Sequence, residues 1–163
     1  MSNITEKIIN ILTDDCRTTP AKMATMLGMS ETGVKKELAR LESVGAIVKY
    51  QAVINEDALE RDIVEAVILV KVAPEYTTGF DAIADEISCL DEVTSLFLLS
   101  GSYDLVVRVK GRSLKEVANF VSLKLSAINK VMSIATHFVL KKYKHEGVPL
   151  EQGSKGERLA VTP

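Results

Sequence analysis

Two short stretches carry side chains whose types and spacing could do chemistry. In the first, Ser30-Glu31-Thr32-Gly33-Val34-Lys35-Lys36 runs on to Arg40. At about 100° per residue, a helix here turns Thr32, Lys35, Lys36, Ala39, Arg40 and Ser43 outward. Cations and hydroxyls gathered on one helical surface could neutralise phosphates, with Ser30 and the helix N-terminus adding backbone contacts or touching base edges. The same face would serve as an ordinary solvated surface, since Glu31, Glu37 and Glu42 dilute it. The second stretch, Gly101-Ser102-Tyr103-Asp104, joins two apolar runs. Its backbone N–H groups could hold a carboxylate and Asp104 an ammonium, the two charges of a free amino acid; a plain hairpin turn would use the same residues.

Enzyme chemistry finds little support. His137 sits in a strand-like pattern and His145 near the end, with no zinc-ligand spacing, phosphate loop or Gly-x-Ser-x-Gly elbow. Asp85-Glu86 and Asp91-Glu92 are sequence neighbours that suit solvated surfaces. Neither a metal nor a cofactor is expected. Cys16 and Cys89 lie far apart and are read as free, mostly buried thiols. No apolar run reaches the roughly 18 to 20 residues of a membrane span, and Met-Ser-Asn-Ile-Thr-Glu lacks a secretory layout, so a cytoplasmic chain is expected.

The 163 residues, 47% hydrophobic and 26% charged, suit one or two small folded domains. Twenty basic against 22 acidic side chains give a net charge of −2, and neither residues 1–60 nor residues 61–163 form a basic half. Any contact with nucleic acid must therefore come from local clustering.

The elements that must position the first stretch are short helices. Asn3 and Glu6 have capping-box spacing, and Ile4, Ile8, Ile11 and Leu12 form a stripe ending near Thr13. Thr19 as N-cap and Pro20 at the first helical position announce a second helix, which Gly28 closes. Ser30 caps a third, with Val34, Leu38 and Leu41 as its buried seam and Gly45 as its end. Residues Pro20 to Val34 have helix-turn-helix spacing: Ala24 lets the next helix cross closely, Gly28 makes the tight stop and Val34 packs back. Ile47 to Ile54 is a β-rich run, and Asn55-Glu56-Asp57 opens a linker over 55–63 between a domain at 1–54 and a second at 64–144.

The second half alternates as strand 64–73, helix 79–89, strands 93–100 and 104–110, helix 114–127 and strand 131–142, a β-α-β-β-α-β order of the ferredoxin-like kind. Phe80, Ile83, Ile87 and Leu90 line one helix; Leu114, Val117, Ala118, Val121 and Leu125 line the other, behind Ser113 and Glu116 as a capping box. The strands are apolar on both faces: Ala66, Ile68, Val70 and Val72 alternate with Val67 and Leu69, and Ile134, Phe138 and Leu140 with Ala135 and Val139. Two helices cover one face, so the other is expected to bury itself against a second copy, unless the sheet curls into a short barrel or the N-terminal domain covers it. From Gly147 to Pro163 no period is evident, and 145–163 is read as a tail, mobile or strapped across a neighbour.

The order of parts, with Ile8-Ile9 through Asp15-x-Arg17, the turn and helix through Leu41-Glu42-x-x-Gly45-x-Ile47-x-x-Tyr50, Gly101-x-Tyr103-Asp104-Leu105 and Thr136-x-x-Val139-Leu140, resembles the Lrp/AsnC (leucine-responsive/asparagine-regulator) family over roughly residues 4 to 144. The resemblance implies an α+β chain: an N-terminal winged helix-turn-helix domain on double-stranded DNA and a C-terminal ferredoxin-like domain that dimerises and senses a small molecule, usually an amino acid. It also implies a sequence-specific transcription regulator, not an enzyme, forming homodimers and assemblies up to octamers, without a membrane. The DNA-contact set is then Thr19, Ser30, Thr32, Gly33, Lys35, Lys36 and Arg40, and the effector set Gly101, Ser102, Tyr103, Asp104 and Thr136. Glu37 stands where such proteins commonly carry Arg and is placed to pair with Arg40; Ser102 replaces a frequent acidic residue. The rival reading is a small-molecule-binding regulatory subunit or enzyme whose helical domain contacts protein instead of DNA.

Overall fold

The computed structural model describes residues 3–59, 61–74 and 79–150. The chain divides into two compact units between Ile54 and Asn55. In the first, α1 (Asn3–Asp14), α2 (Pro20–Leu27) and α3 (Glu31–Ser43) surround a core of Ile8, Met23, Ala24, Val34 and Leu41. Local chemistry fixes the ends. Thr19 accepts a hydrogen bond from the Lys22 N–H, Pro20 follows it, and Gly28 adopts φ +65°, where a Cβ would be strained. Ser30 accepts from the Gly33 N–H, and Gly45, at φ +70°, follows the last turn of α3.

Two expectations for this unit need correction. Asn3 is already helical, so no cap is seen there, and Ile4 is exposed while Thr5, one residue on, is buried. The run Ile47–Ile54 forms no strand: a β-rich composition still needs a hydrogen-bonding partner, and none pairs with it among the described residues. The segment is instead tied by side chains. The Tyr50 hydroxyl donates to Glu42 Oε1 at 2.9 Å, and the Gln51 carbonyl faces the Cys16 thiol at 3.8 Å.

The second unit carries β1 (Val64–Val72), α4 (Asp81–Ser88), β2 (Val93–Leu98), β3 (Leu105–Gly111), α5 (Leu114–Asn119) and β4 (Val131–Phe138). The sheet order β2-β3-β1-β4, all antiparallel, is ferredoxin-like. Alternation along the strands sends Ala66, Ile68, Val70 and Val72 with Leu105, Val107 and Val109 onto Ile83, Ile87, Val117 and Phe120 of the helical layer. Register places Val67 and Leu69 of β1, Val106 of β3, Phe97 of β2 and Ala135 of β4 on the helix-free face.

That face is more polar than its apolar strands suggest. Glu65, only 3% exposed, meets Arg108 Nη2 at 2.5 Å and the Lys142 ammonium, and His137 lies exposed opposite Val67. Burial alone would push the Glu65 carboxyl up; the hydrogen bonds from Lys142 and Arg108 outweigh it and hold the group below its ordinary value.

The second sheet-covering helix is shorter than its predicted span. After Asn119 it passes through a π turn (Phe120–Lys124) and a 3₁₀ turn (Leu125–Ala127). Val117 and Leu125 are buried and Val121 packs on the core as expected, joined by Phe120 and Ile128, while Leu114 and Ala118, expected in the seam but lying before the π turn, are exposed. The Ser113 cap is as expected; Glu116 closes back on the Arg112 N–H. Strand β4 stops at Phe138, leaving Leu140 97% exposed. The supposed tail starts in order: β5 (Lys144–His145) pairs with β6 (Val148–Pro149) across Glu146 and Gly147, both at positive φ. Residues 151–163, the rest of that tail, lie outside the described residues. Asn55 donates to the Leu150 carbonyl, and Glu56 lies near both Arg61 and Lys110, so the linker start is tied into the second unit.

Candidate functional site

The candidate reading surface is built by the turn between α2 and α3. The Gly28 N–H and Met29 N–H both donate to the Ala24 carbonyl, and Val34 is fully buried, which holds α3 across α2. A Cβ on Gly33 would lie 3.1 Å from the capping Ser30 Oγ and 3.6 Å from Met29 Cε, so the smallest residue fits beside the cap. Thr32, Lys35, Lys36 and Arg40 are exposed, Gly33 is half-buried, and Thr19 and Ser30 spend their hydroxyl oxygens on capping.

The cations of α3 are unequal. Lys35 pairs with Glu31 at 2.6 Å. Arg40 is doubly bonded to Glu37, Nη2 to Oε1 at 2.7 Å and Nε to Oε2 at 2.9 Å. Beneath them the buried Thr5 hydroxyl donates to Glu37 Oε1 at 2.6 Å, a contact that helical periodicity within α3 does not reveal. The Arg40 hydrogen bond, then that of Thr5, lowers the Glu37 carboxyl from 4.5 to about 2. Lys36 has no ion-pair partner among the described residues. Outside α3, Arg17 donates to Asp15 from its backbone N–H at 3.0 Å and its side chain at 3.1 Å, and that side-chain bond holds Asp15 below the usual carboxylate range.

The second candidate site is the connection at 99–104 between β2 and β3. Asp104 clips it to the sheet: its carboxylate accepts from the Val72 N–H at 2.9 Å, its own N–H donates to the Val70 carbonyl, and its carbonyl accepts from the Leu99 N–H. Ser102 and Gly101 are exposed and Tyr103 is half-buried. Thr136 is not brought to this turn. It pairs with Ile68 on the helix side of β4, and sheet spacings put it about 14 Å from Asp104, on the far side of β1. A cavity of about 320 Å³ opens instead beside α5, lined by Glu92, Lys115, Asn119 and Phe120 among others, and takes in none of the predicted effector residues. Cys16 is half-buried and Cys89 exposed, both free, so the expectation of mostly buried thiols fails: Cys16 lies in the turn after α1 and Cys89 at the end of α4.

Residues 65–149 match the family model for the Lrp/AsnC ligand binding domain, and residues 1–48 that for a winged helix-turn-helix DNA-binding domain. The chain belongs to the Lrp/AsnC family. It is a transcriptional regulator of that type, with a DNA-binding helix-turn-helix and a ligand-binding domain. It is 41% identical over 164 residues to the uncharacterized HTH-type transcriptional regulator YugG of Bacillus subtilis, covering 98% of this chain and 99% of that one. Among solved structures, the Neisseria meningitidis transcriptional regulator in complex with L-Met has a TM-score of 0.70 at 24% identity, over 89% of this chain and 93% of that one. Escherichia coli AsnC has a TM-score of 0.69 at 21% identity, over 89% and 95%. These two show the shared Lrp/AsnC fold. No helix among the described residues is long and apolar enough to cross a membrane.

Proposed function

We propose that this Lrp/AsnC regulator binds duplex DNA as a homodimer through α3, and that an amino acid bound at the 99–104 turn shifts its assembly or DNA affinity. The observation that carries the DNA half is the α2–α3 turn, closed by Gly28 and capped by Ser30, with Thr32, Lys35 and Lys36 turned outward. The resulting test is salt-dependent binding to a duplex pool. Lys35→Ala with Lys36→Ala should weaken binding and flatten the salt slope by up to about two phosphate contacts; an unaltered slope would discard α3 as the contact surface.

Support for dimerisation comes from the helix-free face, where Phe97 is 55% exposed beside Val106 and Leu69. For the effector, support comes from the exposed Gly101 and Ser102 in the turn that ends at the fixed Asp104 carboxylate, and from the L-Met complex of the Neisseria regulator. A ligand at a subunit contact favours whichever assembly completes its site. Thermal shift against the proteinogenic amino acids separates the parts. Asp104→Asn keeps an oxygen for the Val72 N–H while removing the charge, so a stabilising amino acid should lose most of its effect. A shift undiminished in that variant removes Asp104 from the ammonium role, and a blank wild-type screen removes the amino-acid effector.

A further inference from the structure

We propose that Glu37 determines the sequence discrimination of the reading helix, by holding Arg40 on the protein surface and away from phosphates. The inference rests on the DNA-binding reading of α3 and concerns a residue that composition alone would count as a mere dilution of positive charge.

The geometry is a clamp anchored from below. Both Glu37 oxygens are bonded to Arg40, and Oε1 is held in addition by Thr5, which is 3% exposed and belongs to α1. Glu37 is therefore held from two sides, by Arg40 and by Thr5. Arg40 stays half-exposed, but the fork it would offer a phosphate is already filled by a carboxylate. With Lys35 on Glu31 as well, α3 presents little uncompensated positive charge beyond Lys36.

This arrangement changes what the helix rewards. A mobile arginine reaches any phosphate and so strengthens binding to every sequence alike. A clamped one cannot follow the backbone, and the fixed carboxylate beside it repels phosphates. Sequences that place a base edge against the pair escape this penalty, through guanine accepting the remaining guanidinium donors or cytosine donating its amino group to Glu37. Low general affinity is thereby traded for a larger difference between right and wrong sites.

The full chain tests this with two probes: a labelled 30-base-pair duplex of random sequence, read by fluorescence anisotropy between about 50 and 300 mM salt, and a randomised duplex library for selection. Glu37→Gln, which keeps the shape, should bind the random duplex about tenfold more tightly, the worth of one charge-assisted hydrogen bond. Its salt slope should steepen by about 0.9, one phosphate contact, and the selected sequences should become more degenerate. Arg40→Ala alone should leave the slope unchanged, yet should cancel the gain when combined with Glu37→Gln. An unaltered slope and selection in Glu37→Gln, or a slope flattened by Arg40→Ala alone, would overturn the proposal. Absence of any wild-type binding to either probe would overturn it together with the DNA reading, whereas wild-type binding with an unresponsive Glu37→Gln overturns this inference alone.

Discussion

At Thr19, Gly28 and Ser30 single side chains, or the lack of one, decide how α2 meets α3. Thr19→Ala removes the acceptor of the Lys22 N–H and is expected to cost about 1 kcal/mol; Gly28→Ala forces a Cβ into the left-handed region at about 1 to 2 kcal/mol. Urea melts of the full chain, followed by helical signal, should resolve both. Glu37 supplies a pH signature. Its carboxyl titrates near 2 in the folded chain and near 4.5 otherwise, so its contribution is complete above about pH 4.5 and fades as pH falls toward 2. Stability of Glu37→Gln and wild type should then converge between pH 4.5 and 2; a gap that stays constant over that window speaks against the clamp. Caps and the turn glycine are legible in sequence because each acts on its own backbone within a few residues. The Thr5–Glu37 bond is not, since it joins residues 32 apart that only the packing of α1 on α3 brings together.

Among the elements, the connection before β3 and the helix after it show where local pattern suffices and where it fails. Asp104 was legible as a turn residue, but its bond to Val72 depends on β1 lying beside β3, a fact of topology. Asp104→Ala leaves the Val72 N–H without its acceptor and should destabilise by about 1 to 3 kcal/mol, with Asp104→Asn milder; equal melting of the two would show that the bond matters little. Strands β1 and β3 and helix α4 follow their apolar pattern closely because one face of each must be dry. After Asn119, Val121 and Leu125 face the core as their spacing suggests, but the π turn that spends an additional residue there is something no 3.6-residue pattern anticipates. Ile47–Ile54 fails for the opposite reason: residues that suit a strand found no neighbour to pair with among those described.

For the whole molecule, the proposed dimer rests on the helix-free face. Leu69→Arg puts a charge in the middle of the row formed by Phe97, Val106 and Ala135, and should convert a dimer at micromolar concentration into a protomer, as read by light scattering after size exclusion. Persistence of the dimer would place the contact elsewhere. The existence of two apolar strand faces could be read from alternation alone, whereas the charged group sunk in one of them could not. Glu65 precedes Val67 and Leu69 on the same face of β1 and is reached by Arg108 from the adjacent strand and Lys142 from beyond β4. Such a triplet, two cations on one carboxylate, leaves a surplus positive charge at a fixed address beside the apolar residues of that face. In the proposed dimer, two chains meeting there have to offset that charge at one mutual alignment, so the plane would act as a key: it would admit a sibling in a single registration and turn away look-alike subunits whose charges fall elsewhere.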